Sequence, residues 1–259
     1  MNNLFDLTGK VALITGGSSG LGLAIAEGFL KQGAKVYIAA RKAAGMTEAI
    51  NQLSEFGECI ALQGDLSSGQ GSKALAKQFM ALEPKLDILV NNAGNSWGAS
   101  LEDFPDEGWD KVMNLNVRGV FNLSRDLLPS LRQAGSQDCP ARIINIGSVA
   151  GIISNSLGAY SYAASKAAVH QVTRNLAREL ASAHINVNAI APGRFPSKLT
   201  RFITDNPEAY AKDCETILMK RYGRADEIAA TAISVASVAG AYMTGNVIPL
   251  DGGANLADV

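Results

Sequence analysis

The stretch KVALITGGSSGLG, residues 10–22, decides the fold. VALIT is an apolar, partly β-branched run of the kind that fills a buried strand, and TGGSSGLG at 15–22 carries glycines at 16, 20 and 22. Glycines so placed let the chain turn tightly and bring backbone N–H groups close to a pyrophosphate. The helix that follows would aim its positive end at the same phosphates. A glycine-rich turn by itself is weak evidence, since it can serve only to join a strand to a helix. Its position straight after an apolar strand, at the first βα junction, is what points to nucleotide binding. The candidate phosphate contacts are Gly16, Ser18, Ser19, Gly20, Leu21 and Gly22.

Outward from this loop, short β-branched runs alternate with longer helix-patterned segments. The runs are KVALIT (10–15), AKVYIAA (34–40), CIALQ (59–63), LDILVNN (86–92), ARIINIG (141–147), INVNAI (185–190) and NVIPL (246–250). Near-continuous apolar strands separated by helices imply a parallel sheet covered on both faces. The pattern predicts one doubly wound α/β domain, Rossmann-like, spanning 1–259 with about seven parallel strands. No linker, internal repeat or low-complexity tract interrupts it. GSQDCP (135–140) reads as a surface loop. The longest irregular region runs from Pro192 to about Gly223, and insertions of this kind are often lids or binding loops.

With 47% hydrophobic and 18% charged residues, the 259-residue chain has a globular balance. A formal net charge of −1 makes no case for nucleic acid or an acidic membrane surface. Cys59, Cys139 and Cys214 are scattered, which suits buried thiols in a reducing compartment better than disulfides. No His/Cys/Asp cluster has metal-ligand spacing, so no metal is expected. The N-terminal MNNLFDLTGK does not read as a secretory signal. IAATAISVASVAGAYM (228–243) is too short and too rich in Ala and Ser for a membrane span. A cytoplasmic location is expected.

Ligands in open α/β sheets bind at the carboxyl ends of the strands, and polar residues gather there. Asp65-Leu66 closes the third strand, where a carboxylate can accept from an adenine amino group or cap a helix. Asn91-Asn92-Ala93-Gly94 ends the fourth, giving Asn92, Ala93 and Gly94 as ribose-side candidates. The second run ends in Ala39-Ala40-Arg41-Lys42, with a guanidinium where a 2′-hydroxyl reader would be an acid. Arg41 therefore favours a 2′-phosphate, and with it NADP(H). Further on, YSYAASK (160–166) places Tyr162 four residues before Lys166, on one helical face. An ammonium that close would lower a phenol's pKa by roughly 1–3 units. Tyr160 has Ala164 in the equivalent place. The spacing alone proves little.

Taken in order, Thr-Gly-x-x-x-Gly-x-Gly, Asn-Asn-Ala-Gly, a serine and Tyr-x-x-x-Lys resemble the short-chain dehydrogenase/reductase family over essentially the whole chain. Stretches such as NNAGNSWGASLE and INIGSVAG look most like its β-ketoacyl reductases, those of rhamnolipid synthesis before those of general fatty-acid synthesis. The resemblance implies a catalytic set of Asn116, Ser148, Tyr162 and Lys166. Tyr162 would protonate the developing alkoxide and Ser148 would donate a hydrogen bond to it. Lys166 would lower the Tyr162 pKa and hold the nicotinamide ribose, and Asn116 would hold a water behind Lys166. The family's Pro-Gly motif falls on Pro192-Gly193, with Ser197 in place of the usual threonine. Tyr162, Lys166, Pro192, Gly193 and Ser197 complete the candidate cofactor contacts.

The implied substrate is a 3-oxoacyl thioester on coenzyme A or acyl carrier protein, under a lid at about 194–222. Phe195, Leu199, Phe202, Ile203, Ile217, Leu218 and Met219 would line an acyl tunnel, with Trp97 opposite. Arg194, Lys198 and Arg201 would meet a phosphate of the carrier arm. Ala183-His184 stands where fatty-acid-synthesis relatives often place a carrier-docking basic residue. The family's homotetramers or homodimers would pair here through 107–133, 160–182 and 241–253. His170 reads as an interface or packing residue. Two other functions stay open: a dehydrogenase of a sugar, steroid or other small alcohol, and a nucleotide-sensing protein without turnover.

Overall fold

The computed structural model describes residues 3–154, 158–197 and 200–257, apart from the Phe202 side chain. Every predicted run becomes a strand: β1 (Val11–Thr15), β2 (Lys35–Ala40), β3 (Cys59–Gln63), β4 (Ile88–Asn91), β5 (Ala141–Ile146), β6 (Ile185–Pro192) and β7 (Val247–Leu250). They form one parallel seven-stranded sheet in the order β3-β2-β1-β4-β5-β6-β7. The order reverses between β1 and β4, so the crevice at their carboxyl ends is the place where this architecture receives a ligand.

The helices are α1 (Gly20–Lys31), α2 (Ala44–Leu53), α3 (Gly69–Leu82), α4 (Asp106–Met113), α5 (Val120–Asp126), α6 (Leu128–Ala134), α7 (Tyr160–Leu180), α8 (Arg201–Thr204), α9 (Pro207–Glu215) and α10 (Ala225–Ala236). Because strand side chains alternate between faces, neighbouring residues feed two cores. Ala12, Ile14, Val36, Ile38 and Val90 pack under α1, α2 and α10, against Ile25, Phe29, Leu53 and Ile228. Leu13, Tyr37, Leu89, Ile143 and Val187 pack on the other face against Leu75 and Phe79 of α3, Leu123 of α5 and Ala177 of α7. Burial on both faces is why the runs read as continuously apolar.

Two features depart from the expectation. The region after Pro192 is not irregular throughout, because α8 and α9 lie within it. The Asn206 side chain starts α9 by accepting from the N–H groups of Glu208 and Ala209, with Pro207 preset for the first turn. Between α4 and α5 the helix widens into a π-turn, Asn114–Gly119. The apolar stretch from 228 falls mostly on α10, and among the described residues no helix is long and apolar enough to cross a membrane.

Candidate active site

Three of the four glycines in the loop after β1 serve three different ends. Gly16 has φ +67°, and a Cβ there would lie 2.8 Å from Asn92 Nδ2. Gly20 has φ +57° and open space where its side chain would be, so the start of α1 leaves room for an approaching group. At Gly22 a Cβ would fall 2.4 Å from the Gly16 carbonyl, so only glycine lets α1 close on the loop. Ser19 precedes the helix in extended conformation without capping it, Ser18 is half-buried beside it, and the first turn of α1 holds no acid. Leu21 faces partly inward against the core, which leaves its backbone N–H as the group offered at the helix start.

Thr15, which the sequence reading passed over, ties this loop to the Asn-Asn-Ala-Gly turn. Its hydroxyl accepts from the N–H groups of Asn92 and Ala93, both at 2.9 Å. Asn92 Nδ2 returns a bond to the Thr15 carbonyl at 2.9 Å. Asp65 and Leu66 lie two and three residues beyond β3. Asp65 accepts from the backbone and hydroxyl of Ser67, which holds its carboxyl below the ordinary range, and the nearby Arg41 adds to the effect. The cap of α3 is Ser68, not Asp65. Leu66 is buried in the core, which leaves only its backbone for any contact at this rim. Arg41 is exposed just beyond the end of β2, with the Asp65 carboxylate near enough to feel its charge.

Ser148 follows β5 by two residues, and its Oγ accepts from the Ala150 N–H at 3.2 Å, opening a short 3-10 turn, Val149–Gly151. The same side chain also interacts with the Tyr162 phenol, so capping the turn leaves it within reach of that residue. Lys166 is buried and donates from Nζ to the Ile146 carbonyl at 2.7 Å, with the amine 5.5 Å from the centre of the Tyr162 ring. Burial pushes the Tyr162 phenol up, the Ser148 bond partly offsets this, and burial pushes the Lys166 ammonium down to about 8. The expected lowering of the phenol by Lys166 is therefore not the leading influence. Desolvation outweighs a cation turned toward a carbonyl.

Asn116 sits inside the π-turn, a device that often marks functional helices. Its Oδ1 accepts from the Asn95 N–H at 2.9 Å, while Nδ2 donates to the Asn95 carbonyl and to Ser165 Oγ, each at 2.9 Å. Both amide hydrogens are thus committed, and a water held at this residue would fall to its main-chain carbonyl. A Cβ on Gly94 would lie 3.2 Å from Asn116 Oδ1 and 3.8 Å from Lys166 Nζ, which puts the Asn-Asn-Ala-Gly turn against the set. A buried ladder also went unread: Asn91 donates to Asn145 and Ser124, and Asn145 donates to Thr173 of α7. A lone asparagine inside the apolar run ARIINIG was its signal.

Pro192 ends β6, and the Gly193 N–H bonds the Leu250 carbonyl at 3.0 Å, leaving both at the same rim. Ser197 exchanges bonds with Thr200. The predicted tunnel wall is only partly as expected. Phe195 is core, packed over Gly223, because an apolar ring just past β6 finds α10 and β1 beneath it. Ile217 belongs to a small satellite core with Cys214 and Tyr222, and Ile203 is buried as well. Leu218 and Met219 are 56% and 57% exposed. Arg194 is paired with Asp213 and Arg201 with Asp205. Trp97 packs on Gly108 of α4 with Lys111 over its ring. Leu199, Lys198 and the Phe202 side chain lie outside the described residues.

The profile of the short chain dehydrogenase family matches residues 10–208. The rhamnolipids biosynthesis 3-oxoacyl-[acyl-carrier-protein] reductase of Pseudomonas aeruginosa is 55% identical over 99% of this chain and 100% of its own. Galactitol 2-dehydrogenase (L-tagatose-forming) of Cereibacter sphaeroides is 36% identical over 96% of each. Among solved structures, the Pseudomonas aeruginosa RhlG/NADP active-site complex superposes with a TM-score of 0.96 at 55% identity, covering 98% of this chain and 100% of that one.

Proposed function

This chain belongs to the short-chain dehydrogenase family, and we propose that it reduces the ketone of a 3-oxoacyl thioester to the 3-hydroxyacyl thioester with NADPH. The observation that carries the reaction type is the convergence of Ser148 on Tyr162, with Lys166 buried beside the Tyr162 ring. A substrate carbonyl oxygen set between the two hydroxyls accepts from both. When bound, NADPH supplies the hydride to the carbonyl carbon. As negative charge builds on the oxygen, Tyr162 gives it the proton and Ser148 stabilises it by hydrogen bonding. Burial raises the Tyr162 pKa further above neutral pH, so the phenol carries the proton that donation requires.

The residues fit that cofactor. Open space at Gly20, the acid-free start of α1 and the bare N-terminal N–H groups receive a pyrophosphate. Arg41 takes the 2′-phosphate, Asp65 and the Leu66 backbone take the adenine, and Asn92, Ala93 and Gly94 line the ribose. Lys166 gives one N–H to Ile146 and holds the nicotinamide ribose with the others. Pro192, Gly193 and Ser197 border the carboxamide. Asn116 fixes the Asn95 backbone and, through Ser165, the first turns of α7.

The acyl substrate is favoured over a polyol because the full-length 3-oxoacyl reductase relative is 55% identical, against 36% for the galactitol enzyme. Leu218 and Met219, on the proposed lid at 194–222, present the apolar surface an acyl chain needs. Exposed Trp109, Phe121 and Tyr160, on α4, α5 and α7, support the proposed homotetramer or homodimer. Three free cysteines suit the proposed cytoplasmic location. The test follows NADPH absorbance with acetoacetyl and longer 3-oxoacyl groups, each on coenzyme A and on carrier protein, beside L-tagatose. Oxidation of NADPH by the thioesters is expected. Turnover of the sugar alone would transfer the case to a polyol dehydrogenase.

A further inference from the structure

We propose that His170 is a positioning residue for Ser148, holding the turn that carries it from the next helical turn beyond Lys166. The proposal rests on the acid–base reading of Ser148 and Tyr162 above. Tyr162, Lys166 and His170 follow one another at intervals of four on α7, so they share one face of the helix. That face grips consecutive parts of one short segment. Tyr162 interacts with Ser148, Lys166 bonds the carbonyl of Ile146, and the His170 ring lies against the backbone of Gly151. The segment between them is held elsewhere by the Gly147 N–H on the Ile190 carbonyl at 2.7 Å.

The imidazole touches both ends of the turn. A Cβ on Gly147 would lie 2.3 Å from His170 Nε2, and one on Gly151 would lie 3.0 Å from Cε1. Ser148 is therefore flanked by two glycines, Gly147 set by the His170 ring and Gly151 set first by the Lys166–Ala167 backbone of α7 and then by the ring. His170 is 3% exposed and its Nε2 has no hydrogen-bond partner, which leaves Nδ1 as the nitrogen to meet the Gly151 backbone. Packing alone does not account for a histidine here, since leucine would fill the space without stranding a buried nitrogen. Burial and the neighbouring Lys166 and Arg174 cations push the ring's pKa down to about 4, so it stays neutral and keeps one donor at working pH. The ring also borders an open depression of about 480 Å³ between α7 and β7, lined by Arg174, Val247 and Pro249 among others.

The experiment measures kcat and KM for acetoacetyl coenzyme A, NADPH affinity and thermal stability. The variants are His170→Leu, His170→Asn and His170→Gln, with His170→Leu also placed in a Ser148→Ala background. His170→Leu should lower kcat about tenfold or more, because a small displacement of a reacting group is costly, with NADPH affinity within about twofold. Asn, whose amide nitrogen overlies Nδ1, should recover most of the rate, and Gln should not. In the Ser148→Ala background the same substitution should cost less than about twofold, since the residue it positions is gone. Equal factors in both backgrounds, an unchanged kcat, or a loss explained by NADPH affinity would overturn the inference. If the leucine variant does not fold, Gln recovering the rate better than Asn overturns it instead. Ser148→Ala as active as wild type would overturn the acid–base reading too, so the two failures are distinguishable.

Discussion

The Lys166 ammonium donates to the main-chain carbonyl of Ile146, the last residue of β5, at 2.7 Å. The bond fixes a charge in a place with no solvent, and its pKa falls from 10.5 to about 8. Between those values the folded protein binds fewer protons than the unfolded chain, so this group makes stability rise with pH. Above about 10 the raised Tyr162 pKa works in the opposite direction. Urea titrations of wild type and Lys166→Met should show the difference moving in favour of wild type by about 2–3 kcal/mol from about pH 8 to about pH 10. A difference independent of pH would mean that the amine is not buried as described.

The two tyrosines that open α7 have separate fates. Tyr162 meets Ser148, whereas Tyr160 is 43% exposed and packs edge-on against Phe104 at 5.7 Å. Tyr162→Phe should lower turnover by about 10²–10⁴-fold and leave NADPH affinity nearly intact, because the ring stays and only the proton donor goes. Tyr160→Phe keeps its ring contact and should change kcat less than about twofold. Steady-state rates and cofactor titrations decide. Comparable losses from both would sink the assignment.

The glycines of the phosphate loop separate stability from affinity. Alanine at Gly22 meets a backbone carbonyl that cannot swing away, and overpacking of this kind costs about 1–3 kcal/mol. Alanine at Gly20 meets nothing in the protein and carries only the left-handed strain, about 1–2 kcal/mol, while placing a methyl where the pyrophosphate is proposed to lie. Urea midpoints should fall further for Gly22→Ala. NADPH affinity, corrected for folded fraction, should fall further for Gly20→Ala. The reverse ranking would move the phosphates elsewhere.

Arg41 is the residue on which cofactor choice turns. A charge-assisted bond to a phosphate is worth about 1.5–3 kcal/mol, so Arg41→Ala should weaken NADPH about ten- to hundredfold. NADH, lacking the 2′-phosphate, should lose far less. Fluorescence titration of both cofactors into both proteins checks this, and a wild type that prefers NADH contradicts the assignment.

What could be read in advance follows from the range of the interactions. The seven strands were legible because burial on both faces forces local apolar runs, and the loop glycines because backbone geometry is a local demand. The partners of Asn145 and Thr173 were not, since they are 28 residues apart in the chain and meet only once α7 lies on β5. The π-turn holding Asn116 leaves no local pattern either. Phe195 was read as a tunnel wall from hydrophobicity alone, yet the same hydrophobicity takes it into the core under Gly223. The direction of the Lys166 amine depends on a carbonyl 20 residues earlier, which spacing to Tyr162 does not reveal.

Asp213 offers a test of the proposed lid. It accepts from Arg194 at 3.1–3.2 Å and from the Tyr222 hydroxyl, so one carboxylate on α9 holds both ends of the segment. The Gly223 N–H on the Arg194 carbonyl at 2.9 Å closes the neck beneath it. Asp213→Ala leaves a guanidinium and a phenol without that partner, at a cost of about 1–3 kcal/mol. Most of that cost should appear as local loosening, because the neck bond and the satellite core of Cys214, Ile217 and Tyr222 remain. Limited proteolysis within 201–216 should accelerate, with little change in NADPH affinity, whose proposed pyrophosphate and adenine contacts lie elsewhere. KM should rise more for a long 3-oxoacyl thioester than for acetoacetyl coenzyme A, since only the long chain reaches along Leu218 and Met219. An equal rise for both would show that the segment does not cover the acyl chain.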